Sequence, residues 1–152
     1  MSSLHVSLVS PERTLYQNEA RRITCHTAEG IVTILPHHTP LITALVPGEL
    51  EIISLDGDSQ HFHVGGGFVE VQPGSAVAIL AEVGERVAEI DEARAAEALR
   101  LAKERLEREF LSDREYAAVA SLIERNAARL RIVRKHAHRR RASITSEGVL
   151  EE

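Results

Sequence analysis

Residues 125–141, RNAARLRIVRKHAHRRR, hold eight Lys and Arg and no acid, in a chain of 152 residues whose formal net charge at pH 7 is −5. Residues 1–88 carry four Arg against ten acids, and residues 89–124 carry six basic residues against ten acids. A concentrated cationic segment beside acidic ones calls for an anionic partner, inside the chain or in an assembly. The blander account is a solvated basic helix whose charges suit the negative end of the helix dipole. Histidine supplies a second group. His61 and His63 alternate along one run and share a strand face, and His37-His38 lies in a turn. Either pair offers nitrogen ligands, but no Cys or acid cluster completes four ligands, so no metal is expected. Gly65-Gly66-Gly67 suggests a phosphate cradle, yet between strands such a run more often marks a bulge or a close backbone approach. No G-x-x-x-x-G-K-[ST] loop is present, so a hydrolytic nucleotide site is not expected. No nucleophile elbow or cleft-type carboxylate pair is present either, and no catalytic residue is expected. Cys25 is the single cysteine, which excludes an internal disulfide and a CxxC site. Within an alternating strand it reads as a small buried thiol.

The elements that must position these residues fall into two halves. Up to about Val87 the chain is a series of four- to eight-residue runs rich in Val, Ile and Thr: HVSLVS, RRITCHTA, GIVTILP, LITALV, GELEIISL, QHFHV, GFVEV and SAVAILAEV. Ala28-Glu29-Gly30, Pro47-Gly48, Asp56-Gly57 and Pro73-Gly74 punctuate them as turns. Leu50 and Ile52 alternate with Glu51, as in a half-buried strand. Phe68 and Glu70 against Val69 and Val71 show two faces less cleanly. This pattern predicts an antiparallel β-sandwich or flattened barrel over residues 1–88. With 43% apolar residues and only 3% aromatics, its core must be aliphatic.

From 91 to 141 there is no Gly and no Pro, and Ala, Glu, Leu and Arg dominate, all strong helix formers. Leu99, Ala102, Leu106 and Phe110 make one helical stripe, and Tyr116, Ala120, Ile123, Ala127 and Leu130 a second. Ser112-Asp113-Arg114-Glu115 is an S-x-x-E capping box that starts a new helix. The expectation is a two-helix antiparallel hairpin over 89–141, with helices of about 20 and 25 residues, Ala-rich and shallowly docked. Residues 142–152 are expected to fray. No apolar run approaches the roughly 20 residues of a membrane span. MSSLHVSLVSPERTL lacks the basic start and long apolar stretch of a signal peptide, which predicts a soluble protein on the cytosolic side.

Several stretches together resemble the epsilon subunit of bacterial F-type ATP synthases. Gly30 to Leu41, GIVTILPHHTPL, is similar to the family's G-x-x-G-I-L-P-G-H-x-P-L, with Thr33 and His37 where the family usually has Gly. Pro47-Gly48 matches its P-G turn, Gly66-Gly67-Phe68-Val69-Glu70-Val71 its G-G-F-x-E-V, and Ile90-Asp91-Glu92-Ala93-Arg94-Ala95 its I-D-x-x-R-A. The match covers about residues 3–135.

The resemblance implies a sandwich at the foot of the rotor stalk, contacting the gamma subunit and the c ring and helping couple proton flow to rotation. It implies a hairpin that either folds back or extends along gamma toward the catalytic alpha and beta subunits, where it blocks hydrolysis. The subunit itself would do no bond chemistry. It would be a peripheral protein on the cytoplasmic face of the cell membrane, with no direct membrane insertion and no homo-oligomer. In the extended form Arg125, Arg129, Arg131, Arg134 and Lys135 would make the inhibitory contacts, and salt would weaken them. His38 and its loop would belong to the subunit-contact surface, or be a purely structural turn histidine.

Some family members bind a regulatory ATP, which is not a required cofactor. The corresponding residues here are Glu85, Ile90, Asp91, Arg94, Arg125 and Arg129. Arg100 is near the position of a further arginine, which Leu101 occupies. The alternative is that Asp91 simply caps a helix and Arg94 is a first-turn ion-pair partner. Two functions therefore compete, a coupling and inhibitory rotor subunit and an ATP-sensing module whose hairpin closes on nucleotide. A nucleic-acid-binding reading of the basic tail finds no support in the acidic, aromatic-poor first half.

Overall fold

The computed structural model describes the backbone over residues 2–149 and side chains over residues 2–139 and at Ala142. Among the described residues the chain divides into two compact units, one ending at Glu89 and the other beginning at Ile90.

The first unit holds strands β1 (Leu4–Val9), β2 (Thr14–Thr27), β3 (Gly30–Ile34), β4 (Leu41–Leu45), β5 (Gly48–Ser54), β6 (Ser59–Val64), β7 (Gly67–Gln72), β8 (Ala76–Ala81) and β9 (Gly84–Arg86), then a 3-10 turn at Val87–Glu89. They pair in the order β1-β8-β7-β4-β2-β5-β6-β9, with β3 on β2 and a further β1–β2 pairing. The result is the expected β-sandwich. The ladders are antiparallel except β1–β8, which is parallel. The long strand β2 serves both layers. Its first half pairs with β1 and its second half with β3 and β5, across a register shift between Ala20 and Arg22. The polar run TLYQNEA hid that first half from the hydrophobic pattern, and β9 is too short to have a pattern.

Alternation then decides what lies inside. Leu4, Leu8, Ile23, Leu50, Phe62 and Ile79 are wholly buried in one aliphatic core, each worth about 1.5–3 kcal/mol over the exposed state. Cys25 is buried with them, and burial pushes its thiol up to about 11. Positive φ marks several of the turns, and two positions depend on it most. Gly67 has φ +129, and a Cβ there would collide with the Leu80 carbonyl oxygen, so the triple-glycine run is a close backbone approach. His37 has φ +68, the left-handed region that glycine fills most easily. Its N–H donates to Ser75 Oγ at 2.9 Å, and its Nε2 lies 2.9 Å from Ser2 Oγ.

The second unit is helix α1 (Glu92–Arg108) and helix α2 (Asp113–Val149), which pack on one another. Asp91 caps α1, its carboxylate accepting from the Arg94 N–H at 3.1 Å. Ser112 and Glu115 form the expected capping box reciprocally, each side chain 3.2 Å from the other residue's backbone N–H. Arg100 bridges Glu97 and Glu104, and Arg108 and Arg105 pair with Glu104 and Glu109, an exposed lattice of one-turn ion pairs.

Two expectations need correcting. α2 does not end near 141 but runs through Val149, since no Gly or Pro interrupts it before Gly148. Of the tail expected to fray, residues 142–149 have helical backbone and residues 150–152 lie outside the described residues. The stripes also shift. Phe110 lies past the end of α1 and is fully exposed, and Tyr116 is 57% exposed, while Ala95, Ala102, Val119 and Leu130 are buried. Asn126 is buried too, its Nδ2 donating to the Leu122 carbonyl and its Oδ1 accepting from Arg129. A polar residue can occupy that position because both ends of its amide are satisfied.

Candidate functional site

Strands β4, β7, β8 and β1 turn a second face outward. Cross-strand register sets Ala44, Phe68, Leu80 and Val9 in one row and Ile42, Glu70, Ala78 and Ser7 in the next. The opposite faces of these strands hold Leu45, Val69, Val71, Val77 and Ile79 in the core. The outward face nonetheless remains apolar: Ile42 is 72% exposed, Phe68 56% and Leu80 57%. A groove of about 370 Å³ runs along it, lined by Val9, Pro11, Gly67, Phe68, Leu80 and Glu82 among others. Exposed apolar side chains grouped on one sheet face are the kind of surface that interaction sites use. Sequence reasoning had no residues for such a patch. Its signal was present in GFVEV and AILA, whose alternation is apolar on both faces, the pattern of a strand covered twice.

On the other layer the strands bring histidines and acids together. His61 Nδ1 lies 2.8 Å from Glu49 Oε1 and its Nε2 3.7 Å from Glu51 Oε2. His63 is wholly buried with its Nδ1 3.2 Å from Glu85 Oε1. The acids beside His61 come from β5, which linear spacing did not reveal. His38, in the turn after β3, keeps its Nδ1 2.6 Å from the Thr39 carbonyl, and its N–H donates to the Leu35 carbonyl.

The residues expected at a nucleotide or inhibitory site fall in both units. Glu85 is on β9, engaged by His63. Ile90 is buried, Asp91 caps α1 and Arg94 is exposed in its first turn. Arg125 and Arg129 stand one turn apart on α2, both half-buried. Arg129 donates to Asn126 Oδ1 at 3.0 Å. Arg131, Arg134 and Lys135 are exposed on the same helix. Arg134 Nε lies 3.2 Å from Glu92 Oε1. Arg100, the near match, is held by Glu97 and Glu104. α2 is long enough to span a bilayer but far too charged, and among the described residues no helix is long and apolar enough to cross a membrane.

Comparison with known proteins gives consistent matches. Residues 3–87 fit the model of the family described as ATP synthase, Delta/Epsilon chain, beta-sandwich domain. The ATP synthase epsilon chain of Halorhodospira halophila is 42% identical over 144 residues, 91% of this chain and 100% of that protein. That of Psychrobacter cryohalolentis is 36% identical over 139 residues, 91% and 99% of the two chains. Among solved structures, a chain of the Euglena gracilis mitochondrial ATP synthase, in an OSCP/F1/c-ring structure, matches with a TM-score of 0.73. The match is 22% identical and covers 84% of this chain and 79% of that one, so it bears on the fold.

Proposed function

The chain belongs to the ATP synthase epsilon chain family, and from that footing we propose a rotor-stalk subunit that couples proton translocation to ATP synthesis without bond chemistry of its own. Its sandwich docks on the gamma subunit and the c ring, at the cytoplasmic face of the cell membrane. Its helical unit restrains ATP hydrolysis when extended toward the alpha and beta subunits. The observation that carries the docking is the apolar face of Ile42, Phe68 and Leu80, which a solitary protein has no reason to leave in water. His38 is proposed to join the contact surface through its turn. For the restraint, the supporting observation is that Arg131, Arg134 and Lys135 are exposed on α2, following half-buried Arg125 and Arg129.

The test is ATP hydrolysis by the assembled complex with Arg125, Arg129, Arg131, Arg134 and Lys135 all changed to Gln. Exposed ion pairs contribute about 0.2–1 kcal/mol each, so losing several together shifts a two-state balance by roughly tenfold. Hydrolysis should rise, and raised salt should mimic the change in the unaltered complex. An unchanged rate would remove the inhibitory role from these residues.

A second reading, a regulatory ATP, is favoured by Arg125 and Arg129 lying one turn apart and half-buried on α2. Against it, the Asp91 carboxylate is occupied as a cap and Glu85 is engaged by His63. Calorimetry of the full chain with millimolar MgATP decides the matter, since absence of heat eliminates the sensor.

A further inference from the structure

Glu70 stands in the middle of the apolar face. Its cross-strand neighbours are Ile42 and Ala78, and Phe68 precedes it by two residues on the same side of β7. The side chain is half-buried, and among the described residues nothing forms a hydrogen bond or ion pair with its carboxylate. Glu82, exposed at the rim of the groove, is likewise without a side-chain partner among the described residues. The register separates the two acids. Phe68 faces Leu80, and β7 and β8 run antiparallel, so Glu70 lies two residues from that pair in one direction and Glu82 two residues in the other. At about 3.4 Å per residue their backbones stand roughly 14 Å apart along the strands.

A partner that covers this face takes Glu70 out of water. A carboxylate buried without a counter-charge is strongly unfavourable, so a covering surface that carries a cation at that point is favoured over one that does not. The ring of Phe68 beside it favours a guanidinium, which stacks on an aromatic face while pairing with a carboxylate. We infer that the face receives a segment of the stalk partner that lays an apolar side chain into the Phe68–Leu80 groove between two basic side chains, one opposite Glu70 and one opposite Glu82. This rests on the docking reading above and specifies the chemistry of the surface that docks.

The experiment measures the affinity of the full-length chain for isolated gamma subunit across a range of salt concentrations. It compares Glu70→Gln, Glu82→Gln, Glu70→Lys and the double variant Phe68→Ser, Leu80→Ser. Glu70→Gln should weaken binding about tenfold or more and flatten its salt dependence, and Glu70→Lys should weaken it further. Glu82→Gln, at the solvated rim, should change the salt dependence more than the affinity. The unbound Glu70→Gln chain should melt like the parent, because in the free chain the carboxylate holds nothing. If the double variant weakens binding while the Glu70 and Glu82 variants keep both affinity and salt slope, the cationic partner is refuted and the docking face stands. If no variant alters binding, or the parent chain does not bind gamma, the docking reading falls as well.

Discussion

Gly67→Ala isolates the cost of the close approach at the start of β7. Two penalties meet there. The backbone sits at φ +129, a region open to glycine and closed to L side chains, and forcing alanine into it costs about 1–3 kcal/mol. The added Cβ also strikes the Leu80 carbonyl, which is backbone in the next strand and cannot rotate away. Relieving that contact by shifting β8 adds about 1–3 kcal/mol by analogy with overpacked cores. The expected total is about 2–6 kcal/mol, which for a unit of this size lowers Tm by roughly 10 °C or more. Gly57→Ala is the matched control, because its φ is +91 and nothing lies within 4 Å of the added Cβ. It should lose roughly 1–2 kcal/mol from backbone strain alone. Because the two units can melt separately, the amide NMR signals of β7 and β8 in the full chain should be followed through urea. Equal losses at the two positions would refute the collision and leave only conformational strain, and no loss at Gly67 would refute both penalties.

Ser112→Ala removes the hydroxyl that accepts from the Glu115 N–H and should cost the start of α2 about 1 kcal/mol. Ser112→Asp should restore it, and loss of helical circular dichroism on heating is the readout. Glu89 should titrate below the ordinary carboxylate range, because the Arg13 guanidinium hydrogen-bonds it at 2.7 Å. Its contribution to stability is therefore present above the ordinary carboxylate pKa and lost as pH falls through the lowered one. NMR titration of the Glu89 carboxyl in Arg13→Ala should show the value moving up toward the ordinary range.

Where residues answer to their immediate neighbours, they were legible. The capping box at Ser112 and Glu115, the Asp91 cap, the buried Cys25 and the constrained glycine run all depend on spacing of a few residues. Features set by distant register were not. Glu49 and Glu51 meet His61, and Glu85 meets His63, only because β5, β6 and β9 align as they do. The groove was invisible for the same reason, since Val9, Phe68 and Leu80 come from three strands. The length of α2 is hard to read from its polar, serine-containing tail, although Gly148 is the first helix breaker along it. Thr33 and His37 stand where the resembling motif usually has glycine. At His37 the left-handed backbone is kept and its N–H is satisfied by Ser75.

The two helix starts have a mechanical consequence. Asp91 closes the first turn of α1, and Ser112 with Glu115 closes that of α2, using groups no more than three residues apart. Glu92 in the first turn of α1 also pairs with Arg134 of α2, but the two caps themselves are local, so each helix carries its own cap through any change of partner. Between them lie Phe110 and Leu111, flanked by Glu109 and Ser112 in extended or irregular backbone. Glu109 and Ser112 each still serve a helix, the Glu109 N–H donating to the Arg105 carbonyl and the Ser112 carbonyl accepting from the Tyr116 N–H, so bending at Phe110 and Leu111 spares both ends, whereas bending inside either helix must break several hydrogen bonds at once. The helical unit thus has the build of two stiff rods with a short joint, in which a change of shape is absorbed at Phe110 and Leu111 while the spacing of charges along each rod stays constant.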